Sequence, residues 1–458
     1  MRSIHLFSTL VPFVVQVSSQ VIVTTSTTHQ KIDGFGISQA FGRASEFQNA
    51  AAGLQKQALD LLFSTTSGAG FSIIRNRIGS GGSGDSIEPT SPGSPSGTPK
   101  YTFDNNDNGR VWFTKRADSY GVKTIYADAW SAPGFMKTSG SDATPGFLCG
   151  TPNHPCSSGD WRQAYANFLT KYVQDYDAAG LQITHLGFLN EPDYSPGYSQ
   201  MQISTNAAEA IDFLPILSKT VKAANLNVVL TCCDAVGWGT TTNDYAPALA
   251  KAGSTQYMGV LTSHSYSADP SSLITEVSLP KWNTEGGPSG AFSTVWYSSG
   301  AANEGFTWAT KLASAIVTYQ LSAYLFWEGF EIKQTQSALH LVDTTDGTNA
   351  TPSGVFWAFA MWSRYIRPGA QSIGVSGSPS GVVTGAFKNT DGSIVVIFTN
   401  SGSTSQTIKT SFAGSTPTAA SAWVTANGKT FASTAATLSG GAVSVAVPSK
   451  GVVTVKLT

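Results

Sequence analysis

Eight short runs of apolar, β-branched or aromatic residues recur along most of the chain, and they constrain its fold more than any other feature. The runs are KIDGFGIS, FSIIRNRI, TIYADAW, ITHLGFL, NVVLTCC, MGVLTSHSY, LPKWNTE and SAYLFWE. Segments of helical composition and period lie between them, over 45–63, 161–176, 206–223 and 301–320. Strands that alternate with helices form parallel βαβ units, and eight such units make a (β/α)8 barrel. The pattern therefore predicts an α/β protein with a barrel as its main body.

From about Ile366 the pattern changes to short alternating runs, such as GSIVVIFTNSG and AVSVAVPSKGVVTVKLT. Turn-forming pairs separate these runs: Asp391-Gly392, Asn427-Gly428 and Gly440-Gly441. Regular short strands bounded by such pairs are typical of an antiparallel β-sandwich. The early segment VIVTTSTTHQ also has strand composition, and we expect it to pair with the C-terminal sheet.

The N-terminus has the features of a secretory signal peptide. In MRSIHLFSTLVPFVVQVSSQ, Arg2 precedes an apolar run over 6–17, and small residues follow at Ser18 and Ser19. The run is shorter than the roughly 20 residues that a membrane-spanning helix requires. We therefore expect an extracellular protein that does not span a membrane. Its predicted parts are the signal peptide (1–19), an N-terminal strand of the side domain (20–33), the barrel (34–365) and the sandwich (366–458).

Charge and cysteine content narrow the possible partners. The formal net charge is -1 and 12% of residues are charged, so no basic excess indicates nucleic-acid binding. Cys149 and Cys156 lie in the loop FLCGTPNHPCSSG, and we expect a disulfide between them because secreted proteins fold in an oxidising compartment. The adjacent Cys232 and Cys233 could form a vicinal disulfide or stay reduced on a buried strand. No histidine stands at a metal-ligand spacing from either pair, so neither a metal nor another cofactor is expected.

Two glutamates stand at the ends of predicted barrel strands. Glu191 follows the fourth run in GFLNEPDYSPGYSQM, and Glu285 ends the seventh run in KWNTEGGPS. Catalytic residues of such barrels come from the C-terminal ends of the strands, so both side chains are expected to reach into the barrel mouth. A facing pair of carboxylic acids suits glycoside hydrolysis, in which one protonates the leaving oxygen and the other attacks the anomeric carbon or activates water. A turn or capping carboxylate is the alternative for each.

Other residues at strand ends are weaker candidates. Four further acids could bind substrate or have structural roles: Asp128, Asp193, Asp234 and Glu328. Sugar rings present apolar C–H faces that stack on aromatic planes, so three aromatic residues could line a saccharide cleft. These are Trp130, Tyr266 and Trp327, for which ordinary core packing is the alternative.

Polar and basic residues near the two glutamates complete the candidate set. Arg75 and Arg77 alternate to the same face of the second strand, and one of them is expected to pair with a catalytic carboxylate and keep it ionised. His264 on the sixth strand could donate to the substrate or fix a loop. Asn190 can donate to a sugar hydroxyl, and Tyr198 follows in the same loop.

The ordered set of motifs resembles family 30 of the glycoside hydrolases. The set comprises Asn190-Glu191-Pro192, Trp130, His264-Ser265-Tyr266, Thr284-Glu285-Gly286 and Phe326-Trp327-Glu328. With GFGISQAFGRAS after the first strand and LTCCDAVGW on the fifth, it is similar to the fungal xylanase branch of that family. Asn-Glu-Pro alone is shared by many related barrel families, so the full ordered set carries the specificity.

The resemblance implies a retaining mechanism with Glu191 as acid/base and Glu285 as nucleophile. It also implies that Tyr266 hydrogen-bonds the nucleophile and that Asn190 contacts the 2-hydroxyl of the sugar being cleaved. The resemblance further implies that Trp130 and Trp327 shape this subsite. Arg75 matches the family's arginine on the second strand.

Substrate choice depends on how an acidic branch would be held. Bacterial glucuronoxylanases of the family hold the glucuronic acid branch of xylan partly through an arginine in the loop after the eighth strand, where this chain offers Lys333. In the fungal branch an arginine after the first strand looks like the corresponding anchor, and Arg43 stands at that place. A bidentate guanidinium suits a carboxylate. A surface arginine at a helix start is the alternative.

These features together predict a secreted, metal-free, retaining endo-β-1,4-xylanase that acts on glucuronoxylan, with xylobiose release from chain ends left open. The polysaccharide is the expected partner, with no nucleic acid and no membrane. The closest alternative is a retaining β-1,6-glucanase or β-1,6-galactanase of the same family. A non-catalytic, saccharide-binding wall protein is a more distant one, and the presence of both carboxylates argues against it.

Overall fold

Two ten-stranded sheets organise the residues that the computed structural model describes, which are 19–79, 85–332, 339–344 and 346–458. Apart from Ser19, where strand β1 (Ser19–Ile32) begins, the predicted signal peptide lies outside these residues. Lys333 lies outside them too. Within the described residues, no helix combines the length and apolar character that crossing a membrane would require.

Eight parallel strands close into a barrel. They are β2 (Gly34–Gln39), β3 (Ile73–Ile78), β4 (Thr124–Ala129), β5 (His185–Gly187), β6 (Val229–Ala235), β7 (Val260–His264), β8 (Lys281–Glu285) and β9 (Ala323–Glu331). Each pairs in parallel with the next, and β9 closes the ring by pairing with both β8 and β2. Two short strands, β10 (His340–Asp343) and β11 (Thr351–Pro352), extend the sheet beyond β9. The predicted (β/α)8 barrel is confirmed.

Helices surround the barrel and bury one face against it. They are α1 (Arg43–Gln48), α2 (Ala52–Phe63), α3 (Arg110–Ser119), α4 (Arg162–Ala178), α5 (Ala208–Ala223), α6 (Trp238–Thr240), α7 (Ala246–Lys251), α8 (Gly305–Ala313) and α9 (Gly354–Ser363). Short 3-10 segments occur at Gly134–Met136 and Ser254–Tyr257, and π-helical turns continue α6 over Thr241–Tyr245 and α8 over Ser314–Thr318.

The single helix expected over 45–63 is instead two helices, α1 and α2. The break has a local cause, because the side-chain amide of Gln55 donates to the carbonyl oxygens of Phe47, Gln48 and Ala50. Carbonyl groups at a helix end need partners outside the helix. Gln55 supplies them, so α1 can end where a continuous helix was predicted.

The C-terminal region forms the predicted side domain. Its strands are β12 (Ala370–Ser376), β13 (Val382–Lys388), β14 (Ile394–Asn400), β15 (Gln406–Ala413), β16 (Ala420–Ala426), β17 (Lys429–Thr434), β18 (Ala436–Ser439), β19 (Ala442–Val447) and β20 (Gly451–Leu457). Strands near the two ends of the sheet, β16 and β19, contact each other, so the sheet folds over an apolar core into a sandwich. β1 lies inside this sheet, antiparallel to β12 and parallel to β15, which confirms the expected pairing.

Side chains alternate along the barrel strands and build the interior in layers. The lowest layer, here called the barrel floor, is an apolar cluster of Ile73, Tyr126, Val260, Trp282, Ala323 and Leu325. On β3, Arg75 stands two residues above Ile73, and on β4, Asp128 stands two residues above Tyr126. The next inward position after Asp128 is Trp130. The barrel is thus apolar at its base, charged in its middle and aromatic at its C-terminal mouth.

Two disulfides are present among the described residues. Cys149 is joined to Cys156, as predicted, with their Cα atoms 5.4 Å apart. Cys232 and Cys233, which the sequence left as a disulfide or as free thiols, are joined to each other on β6, where both are buried.

Candidate active site

Glu191 is held at the tip of the segment that continues β5. Its backbone φ of 46° lies in the left-handed region, which is uncommon for a residue with a side chain. Its backbone N–H donates to the carbonyl oxygen of Asp234 over 2.8 Å, which fixes the turn. The Glu191 side chain is buried, with Oε2 accepting from Gln200 Nε2 at 3.1 Å and Oε1 lying 3.1 Å from Nδ1 of His264.

Glu285 ends β8, and both of its oxygens have partners. Oε2 accepts from Nη1 of Arg75, and Oε1 accepts from the hydroxyl of Tyr266 at 2.9 Å. Burial raises the pKa of the Glu285 carboxyl above its ordinary value, the charges of His264 and Arg75 oppose that rise, and Glu191 adds to it. The carboxylate is therefore restrained on both oxygens by donors that favour its charged form.

His264 on β7 lies between the two glutamates. Its Nδ1 is 3.1 Å from Oε1 of Glu191 and 3.8 Å from Oε1 of Glu285, and its Nε2 is 3.8 Å from Oδ2 of Asp234. Burial opposes the charged imidazole, but Glu285, Asp234 and Glu191 outweigh it and raise the pKa of His264 to about 10. His264 is thus a cation at neutral pH, buried among carboxylates.

The two glutamates lie close together. Glu191, His264 and Glu285 each place one possible metal-ligand atom within 4.8 Å of the other two, a spacing that could hold a metal ion. Arg75 and Tyr266 each bind one oxygen of Glu285 in this cluster. One carboxyl oxygen of Glu191 thus lies within 4.8 Å of one of Glu285, and the carboxyl groups of retaining glycosidases are roughly 5 to 5.5 Å apart whereas those of inverting ones are roughly 6.5 to 9.5 Å apart.

Arg75 supports the site from below. Its Nη2 donates to Asp128 Oδ2 at 2.8 Å, to Asn190 Oδ1 at 2.6 Å and to Asp234 Oδ2 at 3.1 Å. Burial opposes ionisation of Asp234, yet Arg75, His264 and Thr284 lower its pKa. For Asp128, burial and then the neighbouring Asp234 raise the pKa. One member of this acid pair thus favours the charged form and the other the neutral form.

Aromatic side chains form one wall of the mouth. The rings of Trp130 and Trp327 stack at 5.6 Å between centroids, and the backbone N–H of Trp327 donates to the carbonyl oxygen of Gly286, next to Glu285. Phe41, at 43% exposure, packs edge-on against Trp130 with centroids 4.7 Å apart. Trp130 and Trp327 are 4% and 9% exposed, so Phe41 presents most of the exposed apolar surface of this wall.

Tyr198 stands in the loop that follows Glu191. Its side chain is 47% exposed. Partial burial, and then the charges of Glu191 and Glu285, raise its pKa to about 12. Its hydroxyl is therefore neutral at physiological pH and lies within electrostatic range of both glutamates.

Arg43 lies apart from the carboxylate network. Its Nε is 3.3 Å from Oε2 of Glu328, and its Nη1 is 3.4 Å from Oε2 of Glu46. Two carboxylates therefore face the guanidinium that was predicted to bind an acidic branch.

The structure gathers six predicted site residues into one network of hydrogen bonds and ion pairs: Arg75, Asn190, Glu191, His264, Tyr266 and Glu285. Sequence reasoning missed Gln200 and Phe41. Gln200 carried no signal, because an isolated glutamine in a Pro- and Gly-containing loop resembles any loop residue. Phe41 lies in the quoted motif GFGISQAFGRAS, and its place after a barrel strand could have marked it.

Two family models match this chain. The model described as O-Glycosyl hydrolase family 30 matches residues 18–285. The model described as Glycosyl hydrolase family 30 beta sandwich domain matches residues 369–455. The two matches fall on the barrel region and on the side domain.

Solved structures and sequence relatives point to related enzymes. The catalytic domain of GH30 xylanase C from Talaromyces cellulolyticus is 48% identical, with a TM-score of 0.91 over 96% of this chain and 100% of that one. An endo-1,6-beta-D-glucanase from Trichoderma harzianum is 29% identical over 39% of this chain and 38% of its own length, so the match spans less than two thirds of that relative. An endo-1,6-beta-D-glucanase from Neurospora crassa is 25% identical over 82% of this chain and 80% of its own.

Proposed function

Because the chain belongs to family 30 of the glycoside hydrolases, we propose that it cleaves β-1,4-xylosidic bonds in xylan with retention of configuration. Glu191 is the acid/base and Glu285 the nucleophile in this proposal. The observation that carries it is the close approach of the two carboxyl groups, with oxygens within 4.8 Å. Such an approach favours retention, because an inverting enzyme holds its carboxyl groups roughly 6.5 to 9.5 Å apart to leave room for a water between its general base and the sugar.

In the first step an oxygen of Glu285 forms a bond to the anomeric carbon while the glycosidic C–O bond breaks. Glu191 gives its proton to the departing oxygen, so the leaving chain departs as an alcohol. In the second step Glu191 takes a proton from water, the water oxygen bonds to the anomeric carbon, and the bond to Glu285 breaks. Two inversions leave the product with the starting configuration.

The neighbours of Glu285 suit the nucleophile role. Arg75 and Tyr266 each bind one of its oxygens, which fixes the carboxylate orientation before substrate arrives. The stacked Trp130 and Trp327 are proposed to shape the subsite at which the chain is cleaved, and Asn190 is proposed to contact the 2-hydroxyl of the sugar there. The residues therefore supply attack, proton transfer and positioning without a further group.

Xylan is favoured as the substrate by the 48% identity to a xylanase catalytic domain over nearly the whole chain. A β-1,6-glucanase is the second candidate, because the Neurospora crassa relative is similar over most of its length. Initial rates on glucuronoxylan, debranched xylan and the β-1,6-glucan pustulan separate the two. We expect hydrolysis of the xylans and none of pustulan, and the reverse would reject the xylanase proposal.

Stereochemistry is tested in the same reactions. Proton NMR spectra recorded within the first turnovers should show the β-anomer of the new reducing end before mutarotation produces the α-anomer. Early appearance of the α-anomer would reject retention and, with it, the nucleophile role of Glu285.

Arg43 is proposed to bind the glucuronic acid branch. For this its guanidinium must exchange Glu328 or Glu46 for the substrate carboxylate. The preference for branched xylan is therefore expected to be modest, because the branch replaces an existing ion pair and does not create a new one. Equal rates on glucuronoxylan and debranched xylan would reject Arg43 as an anchor.

Secretion is a further part of the proposal. Its basis is the N-terminal sequence, with Arg2, the apolar run and the small residues that follow. Mass spectrometry of the protein recovered from culture medium should find Gln20 as the first residue. Recovery of the full-length chain inside the cells alone would contradict it.

A further inference from the structure

Gln200 is buried directly behind the acid/base candidate. Its exposed fraction is 0%, although it lies two residues after the exposed Tyr198. Its Nε2 donates to Oε2 of Glu191 and its Oε1 accepts from Nδ2 of Asn190, both at 3.1 Å. Its carbonyl oxygen also accepts from the backbone N–H of Gly146, so the residue is fixed at its backbone and at its side chain.

The direction of these hydrogen bonds is set by Arg75. A guanidinium has donors and no acceptor, so the Asn190 oxygen must face Arg75. The Asn190 amide nitrogen then faces Gln200 and requires its oxygen. The Gln200 amide nitrogen is left to donate to Glu191, and a reversed amide would place two donors or two acceptors against each other.

The two oxygens of Glu191 therefore have different surroundings. Oε2 is turned toward the buried amide of Gln200, whereas Oε1 faces His264, whose Nδ1 is also 3.8 Å from Glu285. Because Nδ1 of His264 is 3.1 Å from Oε1 of Glu191 and 3.8 Å from Oε1 of Glu285, we infer that Oε1 lies on the side of Glu191 nearer to the other glutamate. A leaving oxygen bonded to a sugar beside Glu285 would meet Oε1 first.

We propose that Gln200 is a positioning residue that holds Oε2 of Glu191 at the back of the site, so that Oε1 delivers and accepts the proton. The inference rests on the proposed acid/base role of Glu191. Besides Gln200, the groups that face Glu191 are His264 from β7, Glu285 from β8, and the hydroxyls of Tyr198 and Tyr266. Among these, Gln200 alone binds Oε2 in the described structure.

Loss of this hold has a specific kinetic consequence. A rotated Glu191 carboxyl impairs steps that need proton transfer to the leaving group and spares steps that do not. Xylan has a poor leaving group that must be protonated. Dinitrophenyl β-xylobioside has a leaving group stable as an anion, so its kcat/KM reports attack by Glu285 with little need for an acid.

The decisive variant is Gln200→Leu, with Gln202→Leu as the matched control. Gln202 lies in the same loop, and its side chain donates to the carbonyl oxygen of Tyr194 and does not bind Glu191. We expect Gln200→Leu to lower kcat/KM on glucuronoxylan roughly 10- to 100-fold and on dinitrophenyl β-xylobioside less than about 3-fold, a part of the 10²- to 10⁴-fold that a general acid contributes. Gln202→Leu should affect the two substrates equally or not at all.

Glu191→Ala, measured beside them, separates this inference from the proposed function. Loss on xylan with retained attack on the dinitrophenyl substrate supports the acid/base role, and equal loss on both rejects that role. If Glu191→Ala shows the split while Gln200→Leu lowers both substrates equally, or neither, the positioning role of Gln200 is overturned. If thermal melting shows that the leucine variant is not folded, Gln200→Met, which keeps the length of the side chain and removes the donor, decides between the same outcomes.

Discussion

The barrel interior and the core of the sandwich are both buried, but their chemistry is opposite. In the sandwich, from residue 370 onward, every buried polar residue is a serine, threonine or asparagine, and none is charged. Above its apolar floor the barrel interior buries ionisable residues that include Arg75, Asp128, Glu191, Asp234, His264 and Glu285. Removing a charged group from water costs several kcal/mol unless it is paired. The barrel interior therefore bears a cost that the core of the sandwich avoids.

The difference indicates what each region is for. The sandwich core gains stability from apolar burial, and its alternating strands need nothing else. The barrel charges stabilise one another, since Arg75 contacts three carboxylates and His264 lies near three. Burying these charges costs free energy, and loss of one charge leaves its partners unpaired. Such a network therefore indicates selection for chemistry more than for stability.

The largest effect is expected from removal of the nucleophile candidate, which belongs to the charged interior of the barrel. We expect Glu285→Ala to lower kcat on glucuronoxylan by at least about 10⁴-fold, because in the proposed mechanism Glu285 forms the covalent intermediate. Azide should restore turnover of dinitrophenyl β-xylobioside and give a glycosyl azide of inverted configuration, detected by NMR. Wild-type activity in this variant would remove Glu285 from its role.

Arg75→Met tests whether the charged layer is balanced by its central cation. The change leaves Asp128, Asp234 and Glu285 without their shared partner, so the free energy of unfolding should fall by about 3 to 5 kcal/mol in urea titrations. The matched control is Lys56→Met, which removes an exposed helix pair with Asp60 and should cost about 0.3 to 0.5 kcal/mol. Equal effects of the two changes would show that the buried charges are not mutually dependent.

His264 gives the charged layer a pH dependence. Its pKa is raised to about 10 in the folded protein from about 6.5 in an unfolded chain. A raised pKa adds stability that is fully present below pH about 6.5 and is lost as the pH rises through about 10. The thermal midpoint of wild type minus that of His264→Gln should therefore shrink between pH about 6 and about 10. A constant or growing difference would contradict a cationic His264.

The smallest effect is expected in the sandwich. Ile408→Val trims one methylene from a fully buried side chain of the apolar core, which should lower the free energy of unfolding by about 0.5 to 1.5 kcal/mol. Because no charged residue is disturbed, kcat on glucuronoxylan should not change. A clear loss of kcat at temperatures where the variant is folded would show that the two regions are coupled.

Much of this architecture could be predicted from the sequence. Runs such as SAYLFWE are read easily because strands buried on both faces are rich in apolar residues over most of their length. The barrel then dictates that residues at strand ends meet, so the convergence of Glu191 and Glu285 follows from topology alone.

Contacts between loop side chains could not be predicted. Gln200 binds Glu191 because its loop folds back nine residues later, and no periodic pattern marks that path. Arg43 meets Glu328 across 285 positions of sequence, so residue type suggested a free guanidinium where the fold provides a carboxylate. Whether Cys232 and Cys233 form a disulfide depends on local backbone geometry, which amino-acid composition does not determine.

The place of β1 between β12 and β15 has a consequence for how the protein is made. β1 is among the first parts of the chain to be synthesised on the ribosome. Its parallel partner β15 is synthesised much later, since Gln20 pairs with Lys409. Pairings so distant in sequence are slow to form. Until 406–413 have emerged, β1 must wait with one edge uncovered, an exposed template for pairing with other chains. The nascent chain is thus most in need of protection by chaperones after the barrel has been synthesised and before the sandwich is complete.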